Sequence, residues 1–216
     1  MENYQELVSI IALTMGVGWA SGINLYAALL VLGLGGATGN ISLPEQLEIL
    51  QNPLIIGAAG LMYGVEFFAD KIPGVDSGWD AISTFIRIPA GAILASSAIG
   101  DVSPALEIAA GITGGGLATF SHGAKAGSRL LINTSPEPVT NWTASIAEDF
   151  VVIAGLWAAL THPVVFLCLL VIFIALVIWL LPKLLRGIRA LFRKLASFFR
   201  SKPTENELTL SDKSDT

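Results

Sequence analysis

The sequence predicts an all-α integral membrane protein of about six transmembrane helices, and three observations predict it. The 216 residues are 53% hydrophobic but only 13% charged. A soluble domain carries about 25% charged residues, so too few charges are present to build a water-facing surface; the mean hydropathy is +0.70. Apolar runs near the length of about 20 residues that a helix needs to cross the hydrocarbon core recur along the chain. Backbone groups in lipid must be bonded internally, which makes helices the natural spanning form. Finally, all 12 Lys and Arg residues fall in, or beside, one alternate set of the loops between those runs.

The runs follow in order. The first, from about Leu7 to Gly36, is long enough to tilt or break. Met1 to Glu6 lacks the basic segment of a signal peptide, so this run reads as a retained membrane helix. The second goes from about Pro53 to Ala69 and the third from about Ala81 to Ile99. Arg87 and Pro89 lie inside the third, so it could be re-entrant. The fourth goes from about Pro104 to Ile132, the fifth from about Ala144 to Leu160, and the sixth, the most hydrophobic, from about Pro163 to Leu181. Six crossings with the basic loops inside put both termini in the cytoplasm, since Lys and Arg excess sets orientation.

Residues 1–181 then form a transmembrane bundle. Residues 182–202 form a basic amphipathic helix, with Leu184, Leu185, Ile188, Leu191 and Phe192 on one face and Lys183, Arg186, Arg189 and Arg193 mainly on the other. Such a helix suits an anionic lipid surface, or serves as the flank that anchors the sixth run. Residues 203–216 are polar and expected to be disordered. With a net charge of −5 and no basic run elsewhere, no nucleic-acid partner is expected.

Duplication is suggested by short matches in a shared order. Ser21-Gly22-Ile23-Asn24 resembles His122-Gly123-Ala124-Lys125, Leu43-Pro44-Glu45 resembles Ser135-Pro136-Glu137, and Ala59-Gly60-Leu61 resembles Ala154-Gly155-Leu156. Repeats of about 7–100 and 104–181 with three spans each would be inverted, an arrangement typical of secondary transporters. The alternative is a duplication kept for packing.

Charge inside apolar spans is the main functional signal, because it is costly there and usually faces the protein interior. Glu66 and Asp70 are four residues apart on one helix face. Asp76 and Asp80 follow a break at Pro73-Gly74, with Asp76 or Ser77 able to cap the next helix. These four carboxylates could hold a hard cation or relay protons; capping and pairing with Lys71 or Arg87 is the plainer reading. His122, Lys125 and Arg129 share a face of the fourth run. They could line a polar cavity for an anionic group, or pair with Glu66, Asp70, Glu148 or Asp149. Asn24 is a polar point in the first run that could bond another helix. The 22 glycines suit close helix packing, including packing in a homo-oligomer, or else Gly114-Gly115-Gly116 unwinds the fourth run. The single Cys168 reads as a small apolar residue. Enzyme, metal-finger and phosphate-loop motifs are absent from the sequence, so no catalytic residue and no cofactor is expected.

Ser21-Gly22-Ile23-Asn24-Leu25-Tyr26, Phe68-Ala69-Asp70-Lys71-Ile72-Pro73-Gly74-Val75-Asp76 and His122-Gly123-Ala124-Lys125-Ala126-Gly127-Ser128-Arg129 resemble segments of an uncharacterised family. Its members are small multi-spanning bacterial membrane proteins carrying a domain of unknown function. The resemblance covers roughly residues 10–160 and implies a bacterial inner-membrane location. The function expected is transport of a small solute or ion through a charged site between the two halves; the alternative is a non-transporting scaffold or assembly factor.

Overall fold

In the computed structural model, which describes residues 2–72, 74–100, 102–133 and 138–200, all the regular structure among the described residues is helical. It comprises α1 (Glu2–Ala37), a 3-10 helix (Glu45–Gln51), α2 (Pro53–Ala69), α3 (Val75–Ala98), α4 (Pro104–Ile132), α5 (Pro138–Thr161) and α6 (Pro163–Arg200). Four of these begin at proline, whose missing N–H costs nothing in the first turn. The Asn52 side chain accepts the Leu54 amide at the start of α2 at 2.9 Å, and Ser103 caps α4 in the same manner. Gly74 and Gly100 adopt φ of 88° and 80° at the two ends of α3, a left-handed turn that a side chain would strain.

Polarity is distributed inside-out for water and right for lipid. Phe85 is 83% exposed, Leu54 81% and Ile112 73%, while Glu66 and Arg129 are fully buried. Large apolar side chains on the outside with charges in the interior are stable only where the surroundings are hydrocarbon. Among the described residues, four helical segments can cross a membrane by length and composition: Asn3–Ala37, Val75–Ala98, Val139–Thr161 and Pro163–Ala190. The 3-10 helix and α2, bent by 68°, make a fifth if taken together. Six crossings are not confirmed by this measure: α2 alone is 17 residues long, and the second half of α4 carries Ser121, His122, Lys125 and Arg129.

α1 is broken at Asn24, where φ −148° and ψ 96° interrupt the helix. The chain reverses there. In the first arm, Ile10 and Leu13 border the same cavity as Leu43 and Pro44, which follow the second arm. A Cβ on Gly36 would touch Leu43 and Gln51 at 2.9 Å. Along α5 the order is the same: Asn24 bonds Asp149, Gly16 faces Ala159, and Val31 in the returning arm shares a cavity with Trp157 and Leu160. The two arms, residues 2–23 and 25–37, therefore form a helical hairpin with Asn24 at its tip.

The packing around α1 bears on three expectations. Leu7 and Ile11 border a cavity with Val102 and Leu106 at the start of α4, whereas Gly187 in α6 packs on Leu131 at the end of α4. The first residues of α1 and Gly187 of α6 thus lie toward opposite ends of the bundle, whereas a single crossing by α1 would put them at the same end. The first arm runs in the same direction as α4, with Gly18 on Gly114 and Gly22 on Ser121. The matched tetrapeptides at Ser21 and His122 are therefore parallel neighbours, without the inverted relation expected of them; Ser135-Pro136-Glu137 lies outside the described residues. Lastly, Gly114-Gly115-Gly116 does not unwind α4. A Cβ at Gly18 would meet the Gly114 Cα at 2.6 Å, and one at Gly114 would meet the Gly91 carbonyl at 2.7 Å. These glycines bring α1, α3 and α4 to backbone contact. α3 continues through Pro89 without a break.

The core lies along the first arm of α1. Val17, Ala20, Leu156 and Phe166 are almost wholly buried there, and Trp19 meets Phe166 and Phe173 edge-on at 5.8 and 5.9 Å. α6 continues past the expected end at Leu181, through Pro182, to Arg200. The polar tail 203–216 lies outside the described residues.

Candidate functional site

The charged residues of four helices converge at one end of the bundle, beside the tip of the α1 hairpin. The last turn of α2 supplies Glu66 and Asp70. The first turns of α3 supply Asp76 and Asp80, with Arg87 two turns further on the same face. His122, Lys125 and Arg129 come from the end of α4, and Glu148 and Asp149 from α5. On α2, α3 and α4 the helical spacings are three, four or seven, so each of those sets faces inward together; the adjacent Glu148 and Asp149 on α5 point to different partners, Arg129 and Asn24.

Arg87 Nη2 donates to Glu66 Oε1 at 2.6 Å, and Arg87 Nη1 lies 3.3 Å from Asp80 Oδ1. Lys125 Nζ is 2.9 Å from Asp70 Oδ2, 3.4 Å from Glu66 Oε1, 3.5 Å from Glu148 Oε2 and 3.7 Å from Asp80 Oδ1. Arg129 forms a two-pronged pair with Glu148, Nε to Oε1 at 3.1 Å and Nη2 to Oε2 at 2.7 Å, and approaches Asp70 and Asp76 at 3.7 and 4.0 Å. Glu66, Asp70, Asp76, Asp80, Lys125 and Arg129 are thus one network. His122 joins it through Arg87 Nη1 at 3.3 Å and Thr84 Oγ1 at 2.7 Å. Thr84 spends its own proton on the Asp80 carbonyl, so His122 donates from Nε2 and accepts from Arg87 at Nδ1.

The break in α1 is built into this network. In an unbroken helix the Ala27 amide would donate to the Ile23 carbonyl. Here it donates instead to Asn24 Oδ1 at 2.9 Å, so Asn24 is the N-cap of the second arm. The released carbonyls of the first arm receive cations: Ile23 O accepts from Lys125 Nζ at 3.2 Å and Gly22 O from Arg87 Nη1 at 3.4 Å. Positive charge at a helix C-terminus and negative charge at an N-terminus both complement the helix dipole. The second condition is met as well, since Asn24 Nδ2 donates to Asp149 Oδ1 at 2.8 Å. Tyr63 holds the other Asp149 oxygen at 3.0 Å.

At the rim, Asp76 accepts from the Gly74 and Ser77 amides at 2.9 and 2.6 Å and from Asn133 at 2.8 and 3.0 Å. It sits within the first turn of α3 and does not itself cap it; Pro73, part of the expected break, lies outside the described residues. Asn141 donates to Asn133 Oδ1 at 2.9 Å. Lys71, between α2 and α3, lies 2.9 Å from the centre of the Phe67 ring. Burial pulls its ammonium below the ordinary lysine value, against the attraction of Asp149 and Asp70.

The network is rich in acceptors. Five carboxylates (Glu66, Asp70, Asp76, Asp80, Glu148) face three cations (Arg87, Lys125, Arg129). Glu66 Oε2, Asp70 Oδ1 and Asp80 Oδ2 are buried without a hydrogen-bond partner in the structure. Among the described residues no group of three or more His, Cys, Asp or Glu has the geometry to hold a metal ion, so the four-carboxylate cluster does not close around a hard cation in this conformation. Sequence reading missed Asn133, Asn141 and Tyr63 and the two carbonyls at Gly22 and Ile23. A polar residue near the end of an apolar run was the available signal for the side chains; the carbonyls carry none.

A multi-pass helical membrane protein with a buried ionic network at one end is the class that this fold and site define. Residues 11–183 match the family described as Domain of unknown function (DUF4126), and the chain belongs to it. No curated protein and no solved structure matches the chain.

Proposed function

We propose that the protein is a bacterial inner-membrane transporter of a small solute or ion, with its site at the break of α1. The carrying observation is the broken helix whose two ends face opposite charges, with three carboxylate oxygens left open beside it. Discontinuous helices are used in this way at the sites of secondary transporters, where released backbone groups replace the solvent of a passing solute.

In this reading α2 to α6 cross the membrane and α1 is a re-entrant hairpin. Ile108 and Ile112, both largely exposed on α4, support α4 as a crossing helix despite its polar face. The charged end of the bundle and the basic stretch after Pro182 face the cytoplasm, as the positive-inside rule requires. The acidic start of α1 then faces the other side. Lys183 stacks over Trp179 at 3.4 Å, a pairing suited to the membrane interface, and the basic stretch beyond it meets anionic lipid.

A scaffold reading draws on the same ion pairs, since every cation of the network has a carboxylate partner. It does not account for open acceptors in the interior. Proteoliposome uptake and efflux against a panel of inorganic ions and small metabolites separates the two. Wild-type flux that falls at least about tenfold in Glu66→Gln, with the variant folded, is the expected result. No flux for any panel member from correctly reconstituted protein would favour the scaffold.

A further inference from the structure

One cavity reaches this network from the side. It measures about 310 Å³ and lies among α1, α4, α5 and α6, with Lys125 and Glu148 on its floor and Val151, Phe173, Leu176 and Val177 among its walls. Leu176 and Val151 are 50% and 45% exposed, so the mouth opens on the apolar outer surface, where lipid lies. Glu148 is the most accessible member of the network, its side chain 18% exposed against 3% or less for the partners paired with Lys125 and Arg129.

The chemistry of the floor selects the sign of the ligand. A lysine ammonium has three protons to donate. Those of Lys125 are directed at the Ile23 carbonyl, Glu66 and Asp70, which leaves none for an anion. Glu148 accepts two bonds from Arg129, while a carboxylate offers about four lone-pair sites. What remains available at the floor is acceptor capacity, in a network with two more carboxylates than cations. The walls are apolar, and Phe173 presents an aromatic ring.

Resting on the transporter reading, we propose that this cavity is the entry site for an amphipathic ammonium: an apolar body lying against α6 with its N–H donors on Glu148. A free lipophilic amine and an aminolipid headgroup share that chemistry. The ligand enters from the bilayer, not from water.

The test is binding of decylammonium, decanoate and decanol to the purified full chain in a non-ionic detergent, followed by calorimetry and thermal unfolding. Decylammonium is expected to bind saturably and raise the unfolding temperature, with decanoate and decanol weaker by about tenfold or more. Glu148→Gln should weaken decylammonium about tenfold. Leu176→Trp, which fills the mouth from an exposed position, should abolish binding and keeps the proposal testable if the Glu148 variant fails to fold. Decanoate binding as well as decylammonium, or decylammonium binding unchanged in folded Leu176→Trp, would overturn the proposal. A dialkyl aminolipid in nanodiscs, competing or not with decylammonium, separates the two sources. Flux of another solute without decylammonium binding removes this inference alone; binding without any flux leaves the cavity and removes the transporter.

Discussion

Glu66 carries two cations on one oxygen, Arg87 at 2.6 Å and Lys125 at 3.4 Å. Removing one partner of a buried pair strands the other charge, at a cost of about 3–5 kcal/mol. Glu66→Gln and Arg87→Met are therefore each expected to destabilise strongly, and the double variant to cost clearly less than their sum; denaturant unfolding of the four proteins measures this coupling. Additive effects would mean that the pair does not exist. Asn24→Ala removes a cap worth about 1 kcal/mol and leaves Asp149 held by Tyr63 alone, whereas Asn24→Asp sets a carboxylate against Asp149 and should cost more. Urea or thermal midpoints order the two, and the reverse order would show that the cap dominates. At this scale the sequence was informative about Glu66, Asp70, Lys125 and Arg129, because charge in an apolar run is costly enough to imply a partner. It names Arg87 with Lys71 as a partner of the carboxylate cluster; that Arg87 pairs most closely with Glu66, at 2.6 Å, depends on how α2 and α3 are rotated against each other.

Helix α1 shows what hydropathy misses. An apolar run of about thirty residues looks the same whether it tilts or doubles back, and the reversal rests on one side chain bonding its own backbone. Of the two readings of Gly114-Gly115-Gly116, close packing and unwinding, packing fits: Gly114 lies against Gly18 and Gly91, and the absence of a side chain there serves approach. Gly18→Leu should destabilise by overpacking, typically about 1–3 kcal/mol. Gly116, with nothing within 4 Å of a Cβ, should accept alanine with no loss or a small gain. Unfolding midpoints of the two variants test the distinction, and similar losses in both would contradict the packing. α3 starts at Val75 and α5 at Pro138, each about six residues before its apolar run, because Asp76 and Asp80 in α3 and Thr140, Asn141 and Thr143 in α5 lower hydropathy without ending a helix.

For the whole molecule, the class of fold was legible in composition, while topology was not. Counting crossings from apolar runs gives an even number; folding α1 back on itself changes the parity. Cysteines introduced singly at Asn3, Thr38 and Arg193, with Cys168→Ser as background, are expected to label with an impermeant maleimide from one side for the first two and from the other for the third. Labelling of Asn3→Cys and Arg193→Cys from the same side would restore the even count and remove the hairpin.

If solute passes at the break of α1, as proposed, flux through Asn24→Ala reports it most directly. The variant keeps the ion pairs of Glu66, Lys125 and Arg129 and loses the cap and the Asp149 bond. Reconstituted beside wild type, it is predicted to lose at least about tenfold of whatever flux the wild type shows while remaining folded, the loss of roughly 1.4 kcal/mol of stabilisation in transit. Wild-type flux retained in full by folded Asn24→Ala would contradict the claim and move the pathway elsewhere in the bundle.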